Sequence, residues 1–586
     1  MLTAAIYHRP ESEYAFLYKS DKLRIRLRTA RGDARRVAII MGDPYLIAQD
    51  KWYQEKTDMT KTLTTDLHDY WEIETSAPYR RLQYGFYVEG IDGQKVFFND
   101  QGVFPYEESF LESAKFYFKM PYFQEIDRFK APDWVKETVW YQIFPERFAN
   151  GDTTNDPKGT LPWGSKDPDR EDFFGGDLQG VYDHLDHLEA LGINGIYFCP
   201  IFKATSNHKY DTIDYYEIDP AFGDKALFKK LVDEAHRRGM RIMLDAVFNH
   251  IGDDSPQWQD VIEKGADSPY ADWFHIHSFP VSYEMTNIPE TARDLTFDTF
   301  AFTPHMPKLN TANPEVQKYL LDIATYWIRE FGIDAWRLDV ANEIDHHFWK
   351  LFHEKVLAEK EDFYILGEIW HSSQRWLQGD EFHAVMNYAF TDNIKEFFVE
   401  KSILPSKMIS GMNEQQMLYV DQVNEVTFNL LDSHDTARIL TVCDGNKELV
   451  KAIISFMFLQ KGAPCIYYGT EISMTGEDDP DCRKCMIWDP KGQDQEMLAF
   501  MKELIALRKA HTDLFAYGSM NWRVDDQQQV IWLERTYQGV TLKAVFNEGG
   551  QDIQITHQPA QLSQQKRTVD AQDFIGQHGF HIAIES

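Results

Sequence analysis

Cysteine is scarce in this chain, with 5 residues among 586. A disulfide framework is typical of small, cysteine-dense secreted proteins, so this fold must depend on buried apolar cores instead. Cys482 and Cys485 form one isolated CxxC pair. Zinc sites usually need two further ligands, and none follows here at a suitable spacing. We therefore interpret the pair as structural.

Long hydrophobic runs and an excess of basic residues are also missing. The N-terminal residues MLTAAIYHRPESEY show no basic segment followed by an apolar one, and no later run reaches the length of a membrane span. Lys and Arg number 60 against 93 Asp and Glu, a net charge of −33. Such a charge argues against nucleic acid and anionic lipid. The sequence predicts a soluble cytoplasmic protein without nucleic-acid or membrane partners.

Three regions of the chain differ in the pattern of their apolar residues. Residues 1–125 contain short alternating runs separated by turn signals, which predicts an N-terminal β-sandwich. Residues 126–512 alternate strand-like and helical segments, and the stretch 251–305 is too long for an ordinary loop, which predicts an inserted subdomain. Strand-like runs return in residues 513–586, which predicts a smaller C-terminal β-sandwich.

The central region holds eight strand-like segments that alternate with helices. They are Val139–Phe144, Ile193–Cys199, Arg241–Phe248, Ile333–Val340, Tyr364–Ile369, Ala384–Asn387, Val426–Leu431 and Ala463–Tyr468. Eight such segments indicate a parallel (β/α)8 barrel in preference to an open sheet. The predicted fold class is therefore α/β, a (β/α)8 TIM barrel with a small subdomain after its third strand and a β-sandwich on either side in the sequence.

The fourth segment lies within GIDAWRLDV, Gly332–Val340, and carries two charged residues in an apolar run. Side chains two positions apart on a strand share a face, so Arg337 and Asp339 should lie together. A nearby arginine favours the ionised carboxylate, and an ionised carboxylate at a strand end suits the nucleophile of a covalent glycosidase. In isolation, the same pair would be interpreted as a structural ion pair.

Other segments also end in residues that carry chemistry. Active sites of (β/α)8 barrels lie at the carboxyl ends of the strands, where these side chains should converge. The residues in question are Asp245 in the third segment with Asn249 and His250 after it, Arg337 and Asp339 on the fourth, Glu368 on the fifth with Trp370 after it, and His434 and Asp435 after the seventh. The carboxylates Asp339, Glu368 and Asp435, from three of these segments, therefore predict one catalytic centre.

This set of motifs resembles the α-amylase family of retaining glycoside hydrolases, from about residue 136 to residue 471. The resemblance implies that Asp339 is the nucleophile, Glu368 the general acid and base, and Asp435 the third carboxylate that holds sugar hydroxyls. It also implies a set of substrate-binding residues, namely His208, Tyr210, His250, Arg337, Trp370 and His434. Two carboxyls about 5–5.5 Å apart would serve double displacement with retention of configuration.

Further motifs narrow the resemblance to one branch of the family. MPKLN at Met306–Asn310, VANE after Asp339, MGDPY at Met41–Tyr45 and the extra N-terminal domain resemble neopullulanase, cyclomaltodextrinase and maltogenic amylase. That branch implies hydrolysis of α-1,4 bonds, with α-1,6 cleavage and transglycosylation left open, in cyclodextrins, pullulan and maltooligosaccharides. It also implies a homodimer in which residues 1–125 restrict the partner's cleft. Cys199 departs from the residue expected at its position.

An Asn/Asp/Gly cluster resembles the calcium site of this branch. Carboxylate, amide and carbonyl oxygens are the ligands that a hard cation requires. Without the resemblance, such clusters usually mark only turns. The residues that the resemblance implies are Asn150, Asp152, Asn155, Asp156, Gly175 and Asp177.

Two alternatives stay open at this point. One is an α-1,6-glucosidase or glucan transferase with the same three carboxylates. The other is a non-catalytic carbohydrate-binding relative, although such proteins lose the carboxylates that are present here.

Overall fold

A computed structural model describes residues 1–556, 559–570 and 572–585 of the chain. Residues 557, 558, 571 and 586, which belong to the predicted C-terminal domain, lie outside the described residues. The chain forms two compact units. One comprises Met1–Lys130, Asn393–Asn424 and Met520–Glu534, and the other comprises Ala131–Asp392, Glu425–Ser519 and Arg535–Ser586. Two internal segments therefore fold with the N-terminal residues, which the domain boundaries at 125 and 512 do not anticipate.

The N-terminal strands form two antiparallel sheets, which confirms the predicted β-sandwich. Their inner faces supply one apolar core, because alternate residues of each strand point inward. The first sheet runs Ala15–Lys19, Lys22–Ala30, His68–Ser76, Thr60–Thr64. The second runs Thr57–Asp58, Ala34–Gly42, Leu82–Gly90, Lys95–Asn99, Gly102–Pro105, and Phe118–Met120 also pairs with Leu82–Gly90.

Eight parallel strands confirm the predicted barrel. In chain order, barrel strands 1 to 8 are Trp140–Ile143, Gly195–Phe198, Arg241–Ala246, Ala335–Leu338, Tyr364–Gly367, Ala384–Val385, Phe428–Asn429 and Ala463–Tyr467. Strand 1 pairs with strands 2 and 8, and a single parallel bridge between Met386 and Phe428 closes the ring between strands 6 and 7. Each strand is shorter than its predicted segment, because only the residues that pair with a neighbouring strand join the ladder.

Helices follow most of the barrel strands. The longer ones are Leu178–Asp183, Leu185–Leu191, Lys225–Arg237, Pro314–Phe331, His346–Glu359, Tyr388–Ile394, Pro405–Met417, Lys447–Phe458 and Gln495–Ala510. Shorter ones are Pro145–Phe148, Asp421–Asn424, Ile439–Val442 and Thr512–Tyr517, and two further short helices, Ile47–Asp50 and Glu108–Leu111, precede the barrel. Between strands 5 and 6 the described chain has only the 3-10 turn Gln374–Trp376 instead of a helix. No helix of the described part is both long and apolar enough to cross a bilayer.

The inserted subdomain lies after strand 3, as predicted. It contains the helix Pro256–Lys264 and the short strands Glu284–Met285 and Ala292–Arg293. The C-terminal β domain is also present, and its strands are joined into one sheet of six. These strands are Asn521–Asp525, Val530–Tyr537, Val540–Asn547, Ile553–Ile555, Leu562–Val569 and Gln572–Glu585.

Candidate active site

Arg337 lies at the centre of the predicted catalytic residues. On the paired strands 3 and 4, Asp245 and Arg337 are direct neighbours in register. Arg337 Nη1 donates to both oxygens of Asp245 at 3.0 Å and to Asp339 Oδ1 at 2.7 Å. Its Nη2 lies 2.9 Å from Glu368 Oε2 as an ion pair outside hydrogen-bond geometry. One fully buried guanidinium therefore holds carboxylates from three adjacent strands.

Burial and the charge of Arg337 act in opposite directions on the pKa values of Asp339 and Asp245. Burial raises the pKa of Asp339 well above its ordinary value; Arg337 opposes that rise, whereas Glu368 and Asp245 add to it. Burial likewise raises the pKa of Asp245 to about 6 against the same guanidinium. The sequence predicted that Arg337 keeps Asp339 ionised. The ion pair exists and lowers the pKa of Asp339, but burial acts on that pKa more strongly in the opposite direction. The ionised Asp339 that a nucleophile requires therefore stays a prediction.

Glu368 is held by backbone and by an aromatic side chain. The Val340 N–H donates to Glu368 Oε2 at 2.9 Å, and Trp370 Nε1 donates to Oε1 at 3.2 Å. Val340 has a φ of 46°, a rare conformation for a β-branched residue and one that often marks functional sites. Trp370 is 51% exposed and stacks on Tyr388, with ring centroids 3.5 Å apart. Tyr388 was not among the predicted site residues.

Asp435 is the most accessible of the three predicted catalytic carboxylates, with its side chain 31% exposed. Its Oδ2 lies 3.2 Å from His434 Nε2, and its Oδ1 lies 3.3 Å from Arg483 Nη2. Arg483 also pairs with Asp479 at 2.8 Å and donates from Nε to the His434 carbonyl at 2.8 Å. Arg483 was not among the predicted site residues, although it lies between the two cysteines of the CxxC pair. Those cysteines are buried and free.

Tyr210 and His434 lie beside the carboxylates that Arg337 contacts, and they contact each other. Their rings are stacked, with centroids 5.4 Å apart and planes 4° from parallel. Tyr210 Oη lies 3.0 Å from Asp245 Oδ2 and 2.5 Å from His434 Nε2. Tyr197, which was not predicted, donates to the same Asp245 oxygen at 2.8 Å. The structure thus joins the predicted Tyr210 and His434 to the carboxylate cluster.

His208 and His250 contact the backbone of Tyr210. The Tyr210 N–H donates to His208 Nδ1 at 3.1 Å, and His250 Nε2 lies 3.1 Å from the Tyr210 carbonyl oxygen. Burial lowers the pKa of His208 to about 4 and that of His250 to about 3, so both are neutral. His250 is 1% exposed and stacks on Phe300. Their contact with sugar stays a prediction; their observed contacts orient Tyr210.

Asp177, one of the predicted calcium ligands, accepts several hydrogen bonds from other residues of the protein. Its fully buried carboxylate accepts N–H groups from Gly151 at 3.0 Å, Asp152 at 2.9 Å and Gly180 at 2.6 Å, and the Asn155 amide at 3.2 Å. Asp177 is also the N-cap of the helix Leu178–Asp183. These bonds hold the 150–156 loop beside the helix and make Asp177 an organiser of that loop.

Two of the other predicted ligands, Asn150 and Asn155, have amide oxygen atoms without partners. Asn150 Oδ1 and Asn155 Oδ1 are buried and make no hydrogen bond. Gly175 has a φ of 82°, and a Cβ there would lie 2.3 Å from Asn150 Nδ2 and from Asp156 Oδ1, so only glycine fits. The described residues contain no cluster of three or more His, Cys, Asp or Glu that could hold a metal. These residues fit a hard cation bound largely by amide and carbonyl oxygens.

Comparison with known proteins identifies the family of this chain. Residues 142–529 match the alpha amylase catalytic domain, and residues 1–124 match the alpha amylase N-terminal ig-like domain. An intracellular maltogenic amylase of Bacillus subtilis (strain 168) is 55% identical, over 97% of this chain and 95% of its own. Neopullulanase 2 of Thermoactinomyces vulgaris is 43% identical, over 94% and 92%.

A solved cyclomaltodextrinase structure superimposes with a TM-score of 0.91 at 44% identity, and all of both chains is covered. The family match extends over more than half of the chain and includes the residues around Arg337. The chain therefore belongs to the alpha-amylase family and is a glycosidase.

Proposed function

We propose that the protein hydrolyses α-1,4-glucosidic bonds in cyclodextrins, pullulan and maltooligosaccharides. The observation that carries this proposal is the placement of Asp339 and Glu368, which lie 2.7 and 2.9 Å from the same Arg337 side chain. In the first step Asp339 attacks the anomeric carbon while Glu368 protonates the leaving oxygen. In the second step Glu368 takes a proton from a water molecule whose oxygen attacks the same carbon, the bond from that carbon to Asp339 breaks, and the sugar leaves with retained configuration.

The other residues bind the ring that is cleaved. Tyr210 offers an aromatic face, and aromatic rings pack well against the apolar faces of sugars. Asp435 offers an acceptor for sugar hydroxyls beside it, and His434 contacts both Tyr210 and Asp435. Because Arg483 and His434 both contact Asp435, its carboxylate is held in place before substrate arrives, which lowers the cost of organising the transition state.

Product analysis tests the substrate proposal. We expect β-cyclodextrin and maltooligosaccharides to be cleaved faster than soluble starch. Proton NMR of the first-formed product should show the α anomer, and an initial β anomer would rule out double displacement. The Asp339→Asn variant serves as the inactive control.

A second candidate function is cleavage of α-1,6 bonds. It is compatible with the 43% identity to a neopullulanase, an enzyme named for pullulan, because pullulan contains both α-1,4 and α-1,6 bonds. Pullulan consists of maltotriose units joined by α-1,6 bonds, so α-1,6 cleavage releases maltotriose. Cleavage at α-1,4 bonds releases a trisaccharide that keeps one α-1,6 bond. The identity of that trisaccharide decides between the two.

We also propose that calcium binds at Asn150, Asn155, Asp156 and the Gly175 carbonyl, with Asp152 at the rim and Asp177 bracing the loop. The buried, unpartnered amide oxygens support this proposal. Binding to the folded state alone raises stability by RT ln(1 + [L]/Kd). We expect chelation to lower the melting temperature and Asn150→Leu to abolish that response. A melting temperature unaffected by chelator would show that the cluster is only a turn.

We propose, finally, an intracellular homodimer in which residues 1–125 take part in the interface. Support comes from the name of the Bacillus subtilis relative and from exposed aromatic residues in this region: Tyr45 is 80%, Tyr122 60% and Tyr79 55% exposed. Exposed aromatic clusters often mark interfaces. Sedimentation should give a dimer for the full chain and a monomer for the Tyr45→Ser/Tyr79→Ser/Tyr122→Ser variant. A dimer in both would place the interface elsewhere.

A further inference from the structure

The Gln142 side chain links barrel strand 1 to His434 in the candidate active site. It lies on Trp140–Ile143 and is 1% exposed. Its Nε2 lies 2.8 Å from His434 Nδ1, on the side of the imidazole away from Tyr210 and Asp435. Gln142 carries no signal in the sequence motifs, and within the described residues its side chain also makes a longer hydrogen bond to Cys199 Sγ, at 3.6 Å.

The positions of the protons follow from counting donors. Asp245 accepts from Arg337 on both oxygens and from Tyr197 on Oδ2, so its contact with Tyr210 is satisfied when the Tyr210 hydroxyl donates. The Tyr210 hydroxyl has one proton, so it must accept from His434 Nε2–H. Then His434 Nδ1 must accept, and the Gln142 amide supplies the donor.

The charge around His434 is consistent with a neutral ring. Burial lowers the pKa of His434 far below its ordinary value, and the cations Arg483 and Arg337 lower it further, while Glu368 acts in the opposite sense. A neutral imidazole carries one proton and therefore has one donor. The groups that face His434 are Asp435, Glu368, Arg337, Arg483, His208, Tyr210, the Cys482 thiol at its carbonyl, and Phe144.

We propose that Gln142 is a positioning residue that fixes His434 as the neutral Nε2–H tautomer. The side-chain amide donates to Nδ1, which reserves the single imidazole proton for the face that carries Tyr210 and Asp435. In the opposite tautomer, Nε2 would present a lone pair to the Asp435 carboxylate and to the Tyr210 oxygen. Gln142 thereby places the imidazole proton on His434 Nε2, where both Asp435 and Tyr210 can accept it in a hydrogen bond.

The catalytic consequence rests on the proposed placement of the sugar against Tyr210, but the tautomer does not. Neutron diffraction from the deuterated wild-type protein reads it directly. We expect deuterium on His434 Nε2 and none on Nδ1, with the Gln142 amide deuterons directed at Nδ1. Deuterium on Nδ1 would overturn the inference whatever the substrate is.

Kinetics test the consequence through the pH profile. In Gln142→Glu, a carboxylate that can only accept faces Nδ1, so the neutral ring switches tautomer and Nε2 loses its proton. We expect kcat on maltotriose to fall about tenfold at pH 7. Protonation of the imidazole restores Nε2–H, so the pH optimum should move to lower pH. Gln142→Leu, which removes the donor without adding an acceptor, should lower kcat and leave the optimum in place.

A matched control is Gln460→Leu. Gln460 is equally buried, and its Nε2 donates to the Phe456 carbonyl at 2.8 Å, away from any histidine. It should lose stability without a change in the pH optimum. A Gln142→Glu enzyme with the wild-type pH profile would overturn the proposal, and the neutron measurement decides the tautomer even if that variant does not fold.

Discussion

Single side chains divide the chemistry of the site between them. We expect Asp339→Asn, Glu368→Gln and Asp435→Asn each to lower kcat by several orders of magnitude, because each removes a charge or proton that only the transition state uses. Circular dichroism and melting should show that the fold survives. Asp254→Asn, at an exposed position, is the control and should retain activity. Near-normal turnover of any of the three on maltotriose would remove that residue from its role.

Arg483 adds a prediction that the sequence motifs alone do not make. Its pair with Asp435 is charge-assisted, and such hydrogen bonds are the stronger ones. We expect Arg483→Gln to lower kcat/KM about 10–100-fold, because Asp435 loses its anchor. Lys484→Gln, the neighbouring cation that pairs with Asp481, should change kcat/KM little. Equal losses in both variants would show that only the total charge matters.

The residues found from sequence and those missed differ in the kind of signal they carry. Asp339, Glu368 and Asp435 were predicted because each ends a strand-like run and because the motifs match a family. Gln142 and Tyr197 sit inside apolar runs, where an isolated polar atom has no sequence signature. Arg483 reaches Asp435 from a loop 48 residues further on. Contacts of that separation depend on the closed barrel and cannot be read from local pattern.

At the scale of elements, local chemistry decides where regular structure begins and ends. The helix Pro314–Phe331 has the ends that the sequence predicts, because Asn313 accepts the Glu315 N–H and Gly332 takes a left-handed conformation. The strand ends could not be predicted as well. Val426–Leu431 reads as a strand, but only Phe428–Asn429 pairs with strand 8, since a ladder needs a partner that sequence does not show.

Asp334, just before barrel strand 4, ties several elements together. Its buried carboxylate accepts from His236 at 2.7 Å, Lys360 at 2.8 Å and the Ile242 N–H at 2.8 Å. Burial would raise the pKa of Asp334, but the His236 hydrogen bond and the Lys360 charge outweigh it and lower the pKa to about 2.

A carboxyl whose folded pKa lies below its unfolded value stabilises the fold above the unfolded pKa. The contribution disappears as pH falls from about 4 to about 2, and amounts to about 2.5 kcal/mol at neutral pH. We expect Asp334→Asn to lower the free energy of unfolding by about that much or more at pH 7. Urea denaturation should show the gap between wild type and variant shrinking below pH 4. A gap that is independent of pH would contradict this assignment.

On the scale of the whole molecule, the N-terminal residues do not fold as a separable module. Asp421, on the internal segment Asn393–Asn424, accepts from Arg24 at 2.7 Å and from Arg26, and both arginines also pair with Glu72. Gln422 donates to the Leu17 carbonyl at 2.9 Å. The same compact unit therefore contains the N-terminal sandwich and this internal segment.

A chain that lacks residues 1–125 should consequently be unstable. The truncation removes Arg24 and Arg26, the partners of Asp421. It also exposes Met417, which packs with Tyr14, Leu63 and Tyr70 in the full chain. We expect calorimetry to show a large drop in melting temperature, and sedimentation to show aggregates. A truncated chain that melts like wild type would contradict the shared unit. For this reason the dimer is better tested with surface variants of the full chain.

The composition of this unit also affects how the protein is made. The N-terminus of a chain leaves the ribosome first, yet the compact unit that contains it also includes Asn393–Asn424 and Met520–Glu534. The N-terminal sandwich therefore emerges from the ribosome long before the segments that complete its unit. Until residue 421 has been synthesised, Arg24 and Arg26 lack the Asp421 carboxylate with which they pair in the folded protein. Protection of this region from protease in stalled nascent chains should rise only after residue 424 has left the exit tunnel.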